Sequence, residues 1–124
     1  MKKLLVIDDM PRIHESYQMI LEGKYTIVSA FDAGSALEVL SKQSVDLVLL
    51  DYGLEKTNGI EVANQIKAKY PILGIIMVTA HKDPLIRADA ESVGISLVLE
   101  KPFKLSEFIG AIDKHVGGNP KINS

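Results

Sequence analysis

The sequence predicts a doubly wound α/β domain on three observations. Five short apolar runs recur at intervals of roughly twenty to twenty-five residues, helix-period segments fill the intervals, and turn residues stand where the period changes. Such an interval accommodates one strand and one crossover helix. The first run is Leu4-Leu5-Val6-Ile7, after which Pro11 fits a first helical position. Ile13, Tyr17, Ile20 and Leu21 then share one helical stripe, and Gly23 follows the helix end. Tyr25-Thr26-Ile27-Val28 is the second strand, and Asp32 can cap a helix through Ala36, Leu37 and Leu40. Leu47-Val48-Leu49-Leu50 is the third strand, with the next helix beginning after Asn58-Gly59. Ile75-Ile76-Met77-Val78 is the fourth, and Gly94 can end the helix that follows it. Ser96-Leu97-Val98-Leu99 is the fifth, and a last helix runs from about Leu105 to Val116 with Phe108, Ile109, Ile112 and Val116 on one stripe. The first, third and fourth runs lack polar alternation, as parallel strands covered on both faces do. The second and fifth are more mixed and suit the sheet edges. Residues 1–116 make one domain with right-handed crossovers, and Gly117 to Ser124 lose the pattern and read as a tail or the start of a linker.

Composition narrows the function. A chain of 124 residues with 47% hydrophobic and 24% charged residues supplies one core and excludes disorder as the main reading. A net charge of -2 is far from the basic excess that binding nucleic acid by charge alone requires. Without cysteine there is no disulfide framework, thiolate metal site or cysteine nucleophile, which suits a reducing cytoplasm. The opening MKKLLVIDD has an apolar run too short for a signal peptide or a membrane span, so a soluble, unsecreted protein without a membrane partner is expected.

In an open parallel sheet, ligands bind outside the carboxyl ends of the strands. Here those ends carry Asp8-Asp9, Asp51, Thr79-Ala80 and Lys101-Pro102. Three carboxylates on one rim repel each other and lose hydration, so all three stay ionised only beside a compensating cation. Oxygen-only ligands favour a hard divalent ion, and Mg²⁺ suits an open site because it keeps several waters and takes one or two carboxylates plus phosphate oxygens. The Thr79 hydroxyl and the Lys101 ammonium add a donor and a point charge for something anionic, which points to a phosphoryl group. Asp46 reads as a turn residue. Taken singly, each motif has an ordinary reading: Asp8-Asp9 as a helix cap, Asp51 as a turn residue, Thr79 as a strand-end hydroxyl bonded to backbone, Lys101 as a solvated cation. The four together, in this order and spacing, outweigh those readings. His14 and His115 are expected to be solvated, with no metal role.

From Lys2 to about Val116 these residues closely resemble the receiver domain of bacterial two-component response regulators. The Asn58-Gly59 pair and the Gly34-Ala36-Leu37 pattern look like the family's as well. The resemblance implies a five-stranded flavodoxin-like (βα)5 sheet in the order 2-1-3-4-5. It makes Asp51 the phosphoacceptor, loaded by a histidine kinase or a phosphotransfer protein. Asp8, Asp9, Asp51 and the backbone carbonyl of Gly53 are implied ligands of Mg²⁺. Lys101 is the implied partner of a phosphoryl oxygen, aimed inward by a cis bond to Pro102, and Thr79 the hydroxyl that moves to the phosphoryl group and turns a local charge into a backbone shift. Enzymatic activity is expected to be at most weak self-phosphorylation and self-dephosphorylation. The output would be a downstream effector or a fused domain, with a possible dimer face near Leu85, Ile86, Val98 and the last helix.

The chain also departs from the family pattern. Val98 stands three residues before the lysine, where the family often has an aromatic readout, and Glu55 stands four after the acceptor in place of the usual proline. Gly53 and His81 occupy the two positions that in the family influence phosphoryl lifetime. Two other classes of function stay open at this stage. A receiver-like scaffold that binds without phosphorylation is motivated by Val98 and the Glu55 loop. A phosphatase working through an aspartyl-phosphate also places an aspartate after an apolar strand, but such enzymes usually have an acid where Gly53 stands. Neither G-x-G-x-x-G nor G-x-x-x-x-G-K-[ST] occurs, which argues against nucleotide binding.

Overall fold

The computed structural model of the protein describes residues 1–116, so the tail expected at Gly117 to Ser124 lies outside the described residues. Strands and helices alternate: β1 (Lys3–Ile7), α1 (Pro11–Ile20), β2 (Thr26–Ala30), α2 (Ala33–Lys42), β3 (Leu47–Asp51), α3 (Gly59–Lys69), β4 (Ile75–Thr79), α4 (Pro84–Ser92), β5 (Leu97–Glu100) and α5 (Leu105–His115). The sheet order is β2-β1-β3-β4-β5 and every pairing is parallel. The two mixed runs are therefore the edge strands, as their composition indicates. Each begins one residue later than the apolar pattern suggests, at Thr26 and Leu97, and β2 extends through Ala30.

Alternation within the buried strands divides the core between the two faces. Leu5, Ile7, Val48, Leu50, Ile75 and Met77 meet Ala36 and Leu40 of α2, Val62, Ala63 and Ile66 of α3, and Ile86 and Ala90 of α4. On the opposite face Leu4, Val6, Leu47, Leu49 and Ile76 meet Tyr17 of α1, Leu21 just beyond it, and Phe108 and Ile112 of α5. Phe108, fully buried, stacks on Phe103 with ring centroids 5.1 Å apart and meets Tyr17 at 4.9 Å.

Local signals account for the ends. Pro11 is the first residue of α1. Asp32 caps α2 by accepting the Ser35 N–H at 2.8 Å, and the Ser35 hydroxyl accepts the Asp32 N–H at 3.3 Å, a reciprocal capping box. Gly23 and Gly94 hold positive φ of 81° and 89° after α1 and α4, a conformation that side chains with a Cβ avoid.

Two expectations are corrected. His14 is not solvated: it is 4% exposed, because it lies three residues before Tyr17 and seven before Leu21 and so shares their inward face. His115 is half-buried, its Nδ1 2.7 Å from the Ala111 carbonyl oxygen. The second correction concerns the apolar face expected near the last strand: Ile86 and Val98 are buried, leaving Leu85 at 70% and Leu105 at 52% as the exposed large apolar residues there.

Candidate functional site

Strand order reverses between β1 and β3, the place where an open parallel sheet leaves a crevice at its carboxyl edge. Asp8 and Asp9 follow β1 directly and Asp51 is the last residue of β3. One carboxylate oxygen from each lies within 4.8 Å of the others. Asp8 is buried, and Asp9 and Asp51 are half-buried.

Neighbouring strands complete the rim. Thr79 ends β4 and is buried, and in the β4–β5 register it pairs with Glu100, so the next residue, Lys101, enters the same edge. The Lys101 backbone N–H donates to the Thr79 carbonyl at 2.8 Å, and the Lys101–Pro102 bond is cis. The Thr79 hydroxyl oxygen accepts the His81 backbone N–H at 2.9 Å, with His81 Nδ1 3.4 Å away. Tyr52 meets the His81 ring edge-on at 5.3 Å, so the residues after β3 and after β4 touch beside the acceptor.

The electrostatics follow from crowding anions under partial burial. Burial pushes the Asp8 carboxyl up; the bond from the Met10 N–H opposes this, Asp51 adds to it, Lys101 opposes it and Asp9 adds to it. Burial also pushes Asp51 up, with Lys101 pulling it down, Asp9 pushing it up, and the Gly53 N–H and His81 pulling it down. A hard cation at the three carboxylates offsets both the lost hydration and the mutual repulsion, and the all-oxygen donor set fits Mg²⁺.

The loop between β3 and α3 is held by a close backbone contact. Gly59 N–H donates to the Tyr52 carbonyl at 2.8 Å. A Cβ at Gly59 would stand 2.8 Å from the Asp51 carbonyl oxygen, 2.9 Å from Tyr52 Cα and 3.0 Å from Met77 Sδ. Asn58 caps α3 by accepting the Glu61 N–H at 3.1 Å. At Gly53, by contrast, a Cβ would make only an ordinary 4.0 Å contact with Asp51 Oδ2.

All five side chains singled out from the sequence, Asp8, Asp9, Asp51, Thr79 and Lys101, stand at this one edge. The steric role of Gly59 and the Tyr52–His81 contact were not read from the sequence. The Asn58-Gly59 pair pointed to the first without its reason, and nothing local signals the second.

The family model for the response regulator receiver domain matches residues 4–113. The chain is 30% identical over 113 residues to the regulatory protein VanR of Enterococcus faecium, covering 89% of this chain and 48% of that protein. It is 33% identical over 107 residues to the alkaline phosphatase synthesis transcriptional regulatory protein PhoP of Bacillus subtilis, covering 86% of this chain and 45% of that one. It thus spans just under half the length of these two relatives. Among solved structures it resembles the response regulator protein TrrA from Thermotoga maritima in complex with Mg(2+)-BeF, with a TM-score of 0.81 at 33% identity over 92% of this chain and 98% of that one.

Proposed function

The chain belongs to the response regulator receiver domain family, and from that premise we propose that it is a phosphoacceptor switch of a two-component system with Asp51 as the acceptor. The observation that carries the reading is the meeting of three carboxylate oxygens within 4.8 Å at the crevice between β1 and β3, with Thr79 and Lys101 on the same rim. In this reading residues 1–116 are the receiver unit.

An Asp51 carboxylate oxygen attacks the phosphorus of a phosphohistidine on a histidine kinase or phosphotransfer protein. The phosphorus–nitrogen bond breaks as the phosphorus–oxygen bond forms, and the departing imidazole takes a proton from solvent. Asp8, Asp9, Asp51 and the Gly53 carbonyl are the residues to hold Mg²⁺, which when bound neutralises charge on the transferring oxygens. Lys101 offers its ammonium to a phosphoryl oxygen. The Thr79 hydroxyl, which accepts the His81 N–H, turns to donate to another, and the strand end moves with it. The domain is then a switch with at most weak self-catalysed loading and hydrolysis.

The change in β4 reaches the surface through α4 and β5, where Arg87 pairs with Glu100 at 3.1 Å and Leu85 of α4 is exposed. A downstream effector, a fused output domain or a second receiver is the partner there. Among the described residues no helix is long and apolar enough to cross a membrane, and a cytoplasmic location follows from the kinase as donor.

The test is intact mass after incubation with a small-molecule phosphodonor, with and without Mg²⁺, on wild type and Asp51→Asn. Gain of one phosphoryl group only with Mg²⁺ and only on wild type is expected. Equal gain on Asp51→Asn would sink the assignment.

A further inference from the structure

His14 touches none of the reacting groups, yet it is built into the turn that presents two of the three carboxylates. Its Nε2 stands 2.8 Å from the Asp8 carbonyl oxygen. A carbonyl only accepts, so Nε2 carries the proton and donates it. Nδ1 is buried without a hydrogen-bond partner, and Phe31 covers the ring at a centroid distance of 4.4 Å. An apolar ring of the same size would fill this space and leave no nitrogen orphaned. What the imidazole adds is its bond to Asp8.

That bond completes a clamp. The Asp8 N–H donates to the Ala30 carbonyl of β2 at 3.2 Å, and Asp8 Oδ1 accepts the Met10 N–H at 2.9 Å. With the carbonyl held from α1, the peptide planes on both sides of Asp8 are anchored. Because the peptide unit is planar, holding the Asp8 carbonyl also sets the Asp9 amide, and with it the direction from which the Asp9 carboxylate enters the cluster. The helix start supplies no substitute, since the N-cap residue of α1, Met10, makes no side-chain cap bond.

We propose that His14 is a positioning residue for cation binding: by donating Nε2–H to the Asp8 carbonyl it fixes the Asp8–Asp9 peptide and so the spacing of two carboxylates in the pocket. The inference rests on the phosphoacceptor reading above. Groups behind metal ligands commonly govern affinity through orientation rather than contact.

The test uses the full chain and Mg²⁺ alone as the probe. Its dissociation constant is read from backbone amide shifts during MgCl2 titration, and the rate of Asp51 phosphorylation by a small-molecule donor is followed against MgCl2. His14→Phe keeps the ring against Phe31 and removes the donor, whereas His14→Gln restores a donor. Mg²⁺ should bind about tenfold more weakly to His14→Phe. Its half-saturating MgCl2 should rise by the same factor, its plateau rate should stay close to wild type, and His14→Gln should recover most of the affinity. A purely structural role would lower thermal stability without moving half-saturation, and that result on folded His14→Phe overturns the proposal. Should His14→Phe not fold, wild type decides by ring ¹⁵N shifts: the Nε2–H tautomer, perturbed on adding MgCl2, supports the clamp, and an Nδ1–H tautomer overturns it. Failure of wild type to bind Mg²⁺ or accept a phosphoryl group overturns the underlying reading and this inference with it. A wild-type response that His14→Phe shares in full overturns the inference alone.

Discussion

Replacing Asp51 by Asn should make the metal-free protein more stable. Asp51 is a half-buried carboxylate whose nearest oxygens to Asp8 and Asp9 lie within 4.8 Å. At that separation a pair of like charges repels by about 0.9 kcal/mol at the permittivity of water and about 3.5 kcal/mol at an effective value of 20. The site opens to solvent on one side and Lys101 opposes the repulsion, so the lower end applies, and the net gain on neutralisation is about 1 kcal/mol. An Asn side chain at this position keeps a carbonyl oxygen that accepts what the carboxylate accepts, so the substitution orphans no donor. For a chain of this size the gain is a rise in Tm of about 3–5 °C, measured by calorimetry at pH 7 in EDTA. The pH dependence fixes the sign. Asp8 and Asp51 both titrate above the ordinary value of 3.8 in the folded state, so their destabilising charge appears as pH rises from below 3.8 through the raised values. The gap between variant and wild type is therefore full at pH 7 and closes as pH falls into that window. Mg²⁺ at a hundred times its dissociation constant adds about 2.7 kcal/mol to a protein that binds it only when folded, so wild type should overtake the variant in MgCl2. An Asp51→Asn Tm at or below wild type in EDTA, or a gap that widens on acidification, would refute the argument that repulsion and burial dominate this cluster.

Other outcomes follow from the same geometry. Gly59→Ala places a methyl group against two backbone atoms that cannot swing aside, so it should cost about 1–3 kcal/mol and slow phosphorylation of Asp51 by shifting its loop; an unchanged melting curve refutes the close contact. Gly53→Ala meets only an ordinary contact and has no positive φ to oppose it; thermal unfolding should show equal or slightly higher stability, by about 0.4–1 kcal/mol. Tyr25→Phe removes the hydroxyl that donates to Asp113 and ties the start of β2 to α5, at a cost of about 1 kcal/mol in denaturant unfolding. The same bond holds the Tyr25 hydroxyl up at about 12, after burial, and pulls the Asp113 carboxyl below its usual range. Asp113 therefore contributes stability above about pH 4 that is lost as pH falls through its lowered value, and the wild-type advantage over Tyr25→Phe should shrink in acid.

Much of this molecule is written in its local pattern. Unbroken apolar runs at Leu4–Ile7, Leu47–Leu50 and Ile75–Val78 announce strands buried on both faces, and Pro11, Asp32 and Gly94 mark helix ends, because those residues act through their own backbone geometry. Asp8, Asp9, Asp51, Thr79 and Lys101 were legible as well, since in a parallel sheet each strand end reaches the same edge whatever lies between. What only the tertiary structure decided depends on atoms distant in the chain. His14 carries a polar label and looked solvated, yet its helical phase places it with Tyr17 and Leu21, and its partner is a backbone carbonyl that residue identity does not encode. Val98 and Ile86 looked available for a partner, but both are buried in the core cluster that also holds Val62, Ala63 and Ile66 of α3, leaving Leu85 outside. Gly59 shows the same division: its absent side chain is visible in the sequence, whereas the reason, a backbone running under 3 Å from where a Cβ would sit, exists only once α3 packs against the end of β3. Periodicity and turn chemistry are short-range physics and can be read in order along the chain, while orphaned nitrogens, shared burial and close backbone approach are set by which surfaces meet.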